Sequence, residues 1–126
     1  MADELVEKEK VLDTLEATRV TADEVMARLG RGEAVVFVDA RRDDAWSEAH
    51  EKLPGAVRLG PDDVARDDTL PILPVHRSII TYCTCPHEAS SAKVAKLLAS
   101  RRYTDVHPLY GGLEAWRRAG GALVPK

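Results

Sequence analysis

The chain has 126 residues, with 18 Lys and Arg against 21 Asp and Glu and a formal net charge of −3. That length suits a single domain with a real core, and 44% hydrophobic with 31% charged residues is the balance of a soluble globular protein. The charge argues against nucleic acid as a partner, and no apolar run approaches the roughly 20 residues of a membrane span. The acidic start Met1-Ala2-Asp3-Glu4 leads into no signal-peptide core, so the expected compartment is a reducing cytoplasm.

Residues 3–18 set Leu5, Val11, Leu12 and Leu15 among many charges. This predicts an amphipathic helical extension, 1–18, ahead of a domain spanning 19–126. Its narrow stripe serves the domain or a second copy of the chain, and the oligomeric state stays open. Arg19-Val20 adds a short strand. Thr21 with Glu24 three residues on reads as a capping box. A short helix over 22–29 follows, with Val25, Met26 and Leu29 inward, stopped by Gly30 or Gly32. The continuous apolar run Ala34-Val35-Val36-Phe37-Val38 suits a central parallel strand buried on both faces. It ends in Asp39-Ala40-Arg41, at the edge where open α/β sheets place their crevices. For Asp39 itself a cap or a salt bridge to Arg41 is the favoured role.

A short helix over 43–50 should bury Trp46. His50 is a candidate proton carrier, although a hydrogen bond across a loop is its commoner use. Pro54-Gly55-Ala56 turns into a strand at Val57-Arg58-Leu59, and Gly60-Pro61-Asp62 opens another short helix. Residues 67–74 read as loop.

The stretch from Ser78 to Ser91 organises the rest. Ile79-Ile80-Thr81-Tyr82 is a buried strand. Residues 92–98 form a helix with Val94, Leu97 and Leu98 on one face, capped by Ser90 or Ser91. Both cysteines, Cys83 and Cys85, lie between strand and helix. Backbone N–H groups and the helix dipole favour the thiolate there. A lone Cys-x-Cys lacks the second ligand pair of a zinc site, so neither a metal nor a cofactor is expected. A last strand over 105–110, the pair Gly111-Gly112 and a helix over 113–119 complete an α/β pattern with a largely parallel sheet.

Val38-Asp39-Ala40-Arg41, Trp46, His50 and Pro54-Gly55-Ala56 resemble the first half of a rhodanese domain. Ile79 to Cys83, Tyr103, Val106, Leu109 and Gly111-Gly112-Leu113-Glu114-Ala115-Trp116 with Ala119-Gly120 resemble its second half. The resemblance covers about residues 19–123. It implies a three-layer α/β sandwich, with a central, mostly parallel five-stranded sheet flanked by helices on both faces. It also implies sulfurtransferase chemistry through a cysteine persulfide, with small sulfur donors and acceptors or a sulfur-carrier protein as partners.

On that reading Cys83 is the nucleophile and Cys85 the alternative. Thr84, Cys85, Pro86, His87, Glu88, Ala89 and Ser90 form the anion-binding loop, supported by Asp39, Arg41, His50 and Arg58. Strand phase favours Cys83, although the predicted helix then starts two residues late; loop length favours Cys85. The family's loop runs Cys-x-x-Gly-x-Arg-Ser, and its Gly and Arg are missing under either count. Pro86 removes an N–H, and Glu88 sets a negative charge near an anion site, which puts thiosulfate as donor in question. Two other readings stand beside transfer: a Cys-x-Cys redox or sulfur-carrier module, and an oxyanion-processing relative such as a phosphatase or arsenate reductase. The latter needs an Arg in the loop.

Overall fold

The computed structural model describes residues 19–66, 73–74, 77–84, 89–101 and 103–126, with side chains omitted at 64–66. The predicted helix over 3–18 and part of the 67–74 loop lie outside the described residues, as do Cys85, Pro86, His87 and Glu88.

In chain order the elements are α1 (Ala22–Gly30), β1 (Val35–Asp39), α2 (Asp43–Glu48), β2 (Glu51–Lys52), β3 (Val57–Arg58), α3 (Pro61–Arg66), β4 (Ser78–Tyr82), α4 (Ala89–Ser100), β5 (Val106–Pro108), α5 (Gly112–Arg118) and β6 (Val124–Pro125). The four strands β3-β1-β4-β5 form an all-parallel sheet. The expected five-stranded sheet is realised as these four, with Val20 adding a single parallel bridge to Leu109 beyond the β5 edge. β2 and β6 make a separate antiparallel ribbon.

Strand alternation sorts the apolar residues onto two faces. Phe37, Ile80 and Tyr82 point to one side, where Val25 of α1 and Leu113 and Trp116 of α5 cover them. Val38 and Ile79 point to the other, against Val94, Ala95 and Leu98 of α4. α1 and α5 thus cover one face of the sheet and α4 the other, giving the three-layer arrangement. Trp116 packs edge-on against Phe37, with centroids 5.3 Å apart, and donates from Nε1 to the Ala122 carbonyl at 2.8 Å. The Thr21 capping box forms in both directions, each bond 3.1 Å.

Four local expectations need correction. Leu29 is exposed rather than inward, because Ala22, Val25 and Met26 already fill the packed face of a helix that ends one residue later. Ser90 and Ser91 do not cap α4. The helix begins at Ala89, so both serines fall inside its first turn and are buried. For the same reason the helix does not start late relative to Cys83. Trp46 is only half-buried. It serves as a platform for cations, with the Arg41 and Arg58 guanidinium carbons and Lys126 Nζ at 5.4, 5.3 and 4.7 Å from its ring centre. No helix among the described residues is long and apolar enough to cross a membrane.

Candidate active site

Cys83 is the first residue after β4, at the carboxyl edge of the sheet, and is buried. Two neighbours fix it. Gly112 of α5 closes over its backbone: φ there is +59°, and a Cβ would fall 2.1 Å from the Cys83 carbonyl oxygen, so only glycine permits the approach. That carbonyl accepts the Leu113 N–H at 3.1 Å. On the other side the Cys83 thiol stands 3.5 Å from Ser91 Oγ. Thr81 Oγ1 donates to the Ser91 carbonyl at 2.9 Å and ties α4 to the strand. The thiol therefore lies against the first turn of a twelve-residue helix, at the positive end of its dipole.

Tyr82, the residue before Cys83, enters a buried polar network. The β1–β4 register sets Asp39 opposite Tyr82. The Tyr82 hydroxyl donates to Asp39 Oδ2 at 2.7 Å and accepts the Leu53 N–H at 3.2 Å. Arg41 Nε donates to Asp39 Oδ1 at 2.9 Å, and the second guanidinium nitrogen reaches both Oδ2 and, at 3.0 Å, the Glu51 carbonyl. All three side chains are almost wholly buried. Burial, reinforced by the Asp39 carboxylate, pushes the Tyr82 phenol far above the ordinary tyrosine range, so it stays a donor. Burial works against the Arg41 charge, but the hydrogen bond and charge of Asp39 outweigh it and hold that guanidinium above its usual value. The salt bridge expected for Asp39 is thus present.

A cavity of about 170 Å³ reaches Cys83, walled by Arg41, Arg42, Asp44, Ala45, Thr84 and Ser90. A second, shallower basin of about 490 Å³ shares Arg41, Ala45 and Thr84 with it. His50, Glu51 and Arg117 also line it.

The structure thus gathers Cys83, Thr84, Ser90 and Arg41 at one cavity, pairs Asp39 with Arg41, and puts His50 in the adjoining basin. Ala89 is exposed as the first residue of α4. Arg58 is engaged elsewhere, in ion pairs with Asp43 at 2.8 Å and Asp63 at 3.3 Å. Sequence reasoning missed Tyr82 as a network member and Arg42, Asp44 and Ala45 as cavity wall. The available signal was their place: parallel pairing of β1 with β4 brings whatever follows Asp39 to the same edge as whatever follows Tyr82. Among the described residues no group of three His, Cys, Asp or Glu side chains could hold a metal.

The family model for the rhodanese-like domain matches residues 21–119. Comparison with curated proteins returns no significant match. Among solved structures, the rhodanese-like domain of an Anabaena protein is 28% identical with a TM-score of 0.65, covering 85% of this chain and 78% of its own. A Rhodopseudomonas palustris protein described as a possible tyrosine phosphatase is 24% identical, with a TM-score of 0.67 and 90% coverage of both chains. A Pseudomonas aeruginosa thiosulfate sulfurtransferase is 24% identical with a TM-score of 0.65, covering 84% of this chain but 19% of that larger one. At under 25% identity the last two are similar in fold alone. With the family model spanning most of the chain, from the Thr21 cap through the Cys83 turn to α5, the protein belongs to the rhodanese-like domain family, which includes sulfurtransferases.

Proposed function

We propose that the protein is a sulfurtransferase that carries a sulfane sulfur on Cys83 and passes it to a thiophilic acceptor. The observation that supports this most is the setting of Cys83: a thiol at the carboxyl end of a central parallel strand, against the first turn of α4, with a cavity reaching it. A helix amino terminus favours the thiolate, and the thiolate is the attacking form. With thiosulfate, Cys83 Sγ attacks the outer sulfur, the sulfur–sulfur bond breaks, and sulfite leaves with the bonding electron pair. The product is a cysteine persulfide anion. A nucleophilic acceptor then takes the terminal sulfur and regenerates the thiolate. No proton needs to move on the attacking atom, so a general base is unnecessary, and neither a metal nor a cofactor takes part.

Thiosulfate, polysulfide and a protein persulfide all suit this step as donors. In this reading residues 84–90 hold the sulfur anion, and Cys85 is available as a resolving thiol. Asp39 and Arg41 position the strand ends and His50 lines the adjoining basin. The unit is the domain over 19–126 with 1–18 as an extension. An oxyanion-processing role is less suited, because it calls for an Arg within the loop that follows the nucleophile, and none lies between Cys83 and Ser91.

The test is sulfur transfer to cyanide from thiosulfate and from polysulfide, by wild type, Cys83→Ser, Cys85→Ser and the double variant. Cys83→Ser should lose transfer and Cys85→Ser should keep it. Transfer by Cys83→Ser with none by Cys85→Ser would move the nucleophile to Cys85. Equal transfer by all four would remove the mechanism.

A further inference from the structure

We propose that Arg42 is the residue that binds the anionic end of the sulfur donor, in place of the arginine absent from residues 84–90; this rests on the persulfide reading above. The Cys83 cavity has three charged wall residues among those described: Arg41, Arg42 and Asp44. Arg41 is committed to the fold, since its Nε and one terminal nitrogen are bonded to the two Asp39 oxygens and the Glu51 carbonyl. Its charge is cancelled where it stands. Asp44 is turned back on its own helix, with Oδ1 accepting the Ala45 N–H at 2.9 Å.

Arg42 differs from both. It occupies the N-cap position of α2, but its side chain makes no cap hydrogen bond. Its role in the fold is a backbone one, the carbonyl accepting the Trp46 N–H at 2.8 Å. Arg42 is exposed, its guanidinium has no carboxylate partner among the described residues, and the residue shares a 170 Å³ cavity with Cys83. A guanidinium fork pairs with two oxygens of a sulfonate as it does with a carboxylate. Placed there it would hold the sulfonate of thiosulfate while Cys83 takes the outer sulfur, and hold the sulfite that departs with the electron pair.

The charge can be read at Cys83 without any sulfur transfer, as the ratio of alkylation rates by anionic iodoacetate and neutral iodoacetamide. Arg42→Gln should lower that ratio about fivefold, as expected for one partly screened charge near the thiolate. Arg42→Lys should restore most of it, and Asp44→Asn should shift it the opposite way. In persulfide formation from thiosulfate, Arg42→Gln should raise KM by about the same factor with a smaller change in kcat, again rescued by Arg42→Lys. An alkylation ratio unchanged in folded Arg42→Gln overturns the proposal, whatever the transfer assay shows. A ratio that falls while the thiosulfate KM stays fixed overturns the donor-binding role. Wild type that forms no persulfide from any donor, yet shows the charge effect, defeats the sulfurtransferase reading and the donor role of Arg42 with it, leaving only a cation at the cavity.

Discussion

At its carboxyl end β4 gives Tyr82 to a cluster with Asp39 and Arg41; at its amino end it gives Ser78 to a cluster with Asp105, His107 and Arg28. The second group has the residue types of a hydrolase triad, but its geometry is different. Ser78 Oγ donates to Asp105 at 2.5 Å rather than to histidine, His107 Nε2 meets the other Asp105 oxygen at 2.6 Å, and Arg28 donates to Ser78 at 3.2 Å. In the bonds shown the imidazole meets the carboxylate and not the hydroxyl, so this is not the serine–histidine pairing of a triad. The carboxyl-end cluster holds no nucleophile either, yet its Tyr82 directly precedes Cys83 and its Arg41 lines the Cys83 cavity at the crevice edge of the sheet. Position on the parallel sheet, more than the residue types collected, separates a site from a clasp.

The two clusters should also differ in energy, because one is dry and the other wet. Asp39→Asn removes the partner of a fully buried guanidinium, and the cost should be about 3–5 kcal/mol, read as a shift of the urea midpoint at constant slope. A loss under 1 kcal/mol would mean that Arg41 finds another partner and that the network is not what holds the strand ends. Gly112→Ala drives a methyl group against the Cys83 carbonyl and strains a positive φ. It should cost on the order of 3 kcal/mol and lower transfer activity along with stability. Normal stability in this variant would show that α5 shifts away from the Cys83 backbone at little cost.

Asp105→Asn should cost less than about 1 kcal/mol, since its side chain is 45% exposed and solvent screens the pairing. The hydrogen bond from Ser78 and the contact with His107 hold the Asp105 carboxyl below its usual range against an opposing effect of burial. A depressed folded-state value means that the folded chain binds fewer protons than the unfolded one in that window. The contribution is therefore present above the unfolded value of about 3.9 and is lost as pH falls through the lower folded value. Urea titrations of wild type and Asp105→Asn should converge in stability as the pH drops below about 4. A gap that stays constant down to acid pH would place the effect in packing instead.

Much of the frame was legible because local signals agreed with one another. Thr21 and Glu24 mark the start of α1, the apolar runs mark β1 and β4, and the glycine pair marks the close approach at Cys83. What escaped depended on pairing across the chain. Glu51-Lys52 is too short and polar to suggest a strand, and its partner Val124-Pro125 lies at the opposite end of the chain. Tyr82 looked like one more strand residue, because its bond to Asp39 exists only once the β1–β4 register is set. Trp46 reads as a core residue from its hydrophobicity, but α2 buries no side chain, and the ring lies half-buried with three cations over it. The start of α4 escaped because Ala89-Ser90-Ser91 carries both capping and helix-forming residues, and burial of the serines decided between them.

The central claim is that Cys83 becomes the sulfur carrier, and intact-protein mass spectrometry after incubation with a sulfur donor tests it most directly. Wild type and Cys85→Ser should each gain the mass of one sulfur atom, removable by cyanide, and Cys83→Ser should gain none. The persulfide on Cys85→Ser should also outlive that on wild type, because no neighbouring thiol can displace it. A sulfur adduct that persists undiminished in Cys83→Ser, or a wild type that only loses two hydrogens to a disulfide and never takes up sulfur, would contradict the account.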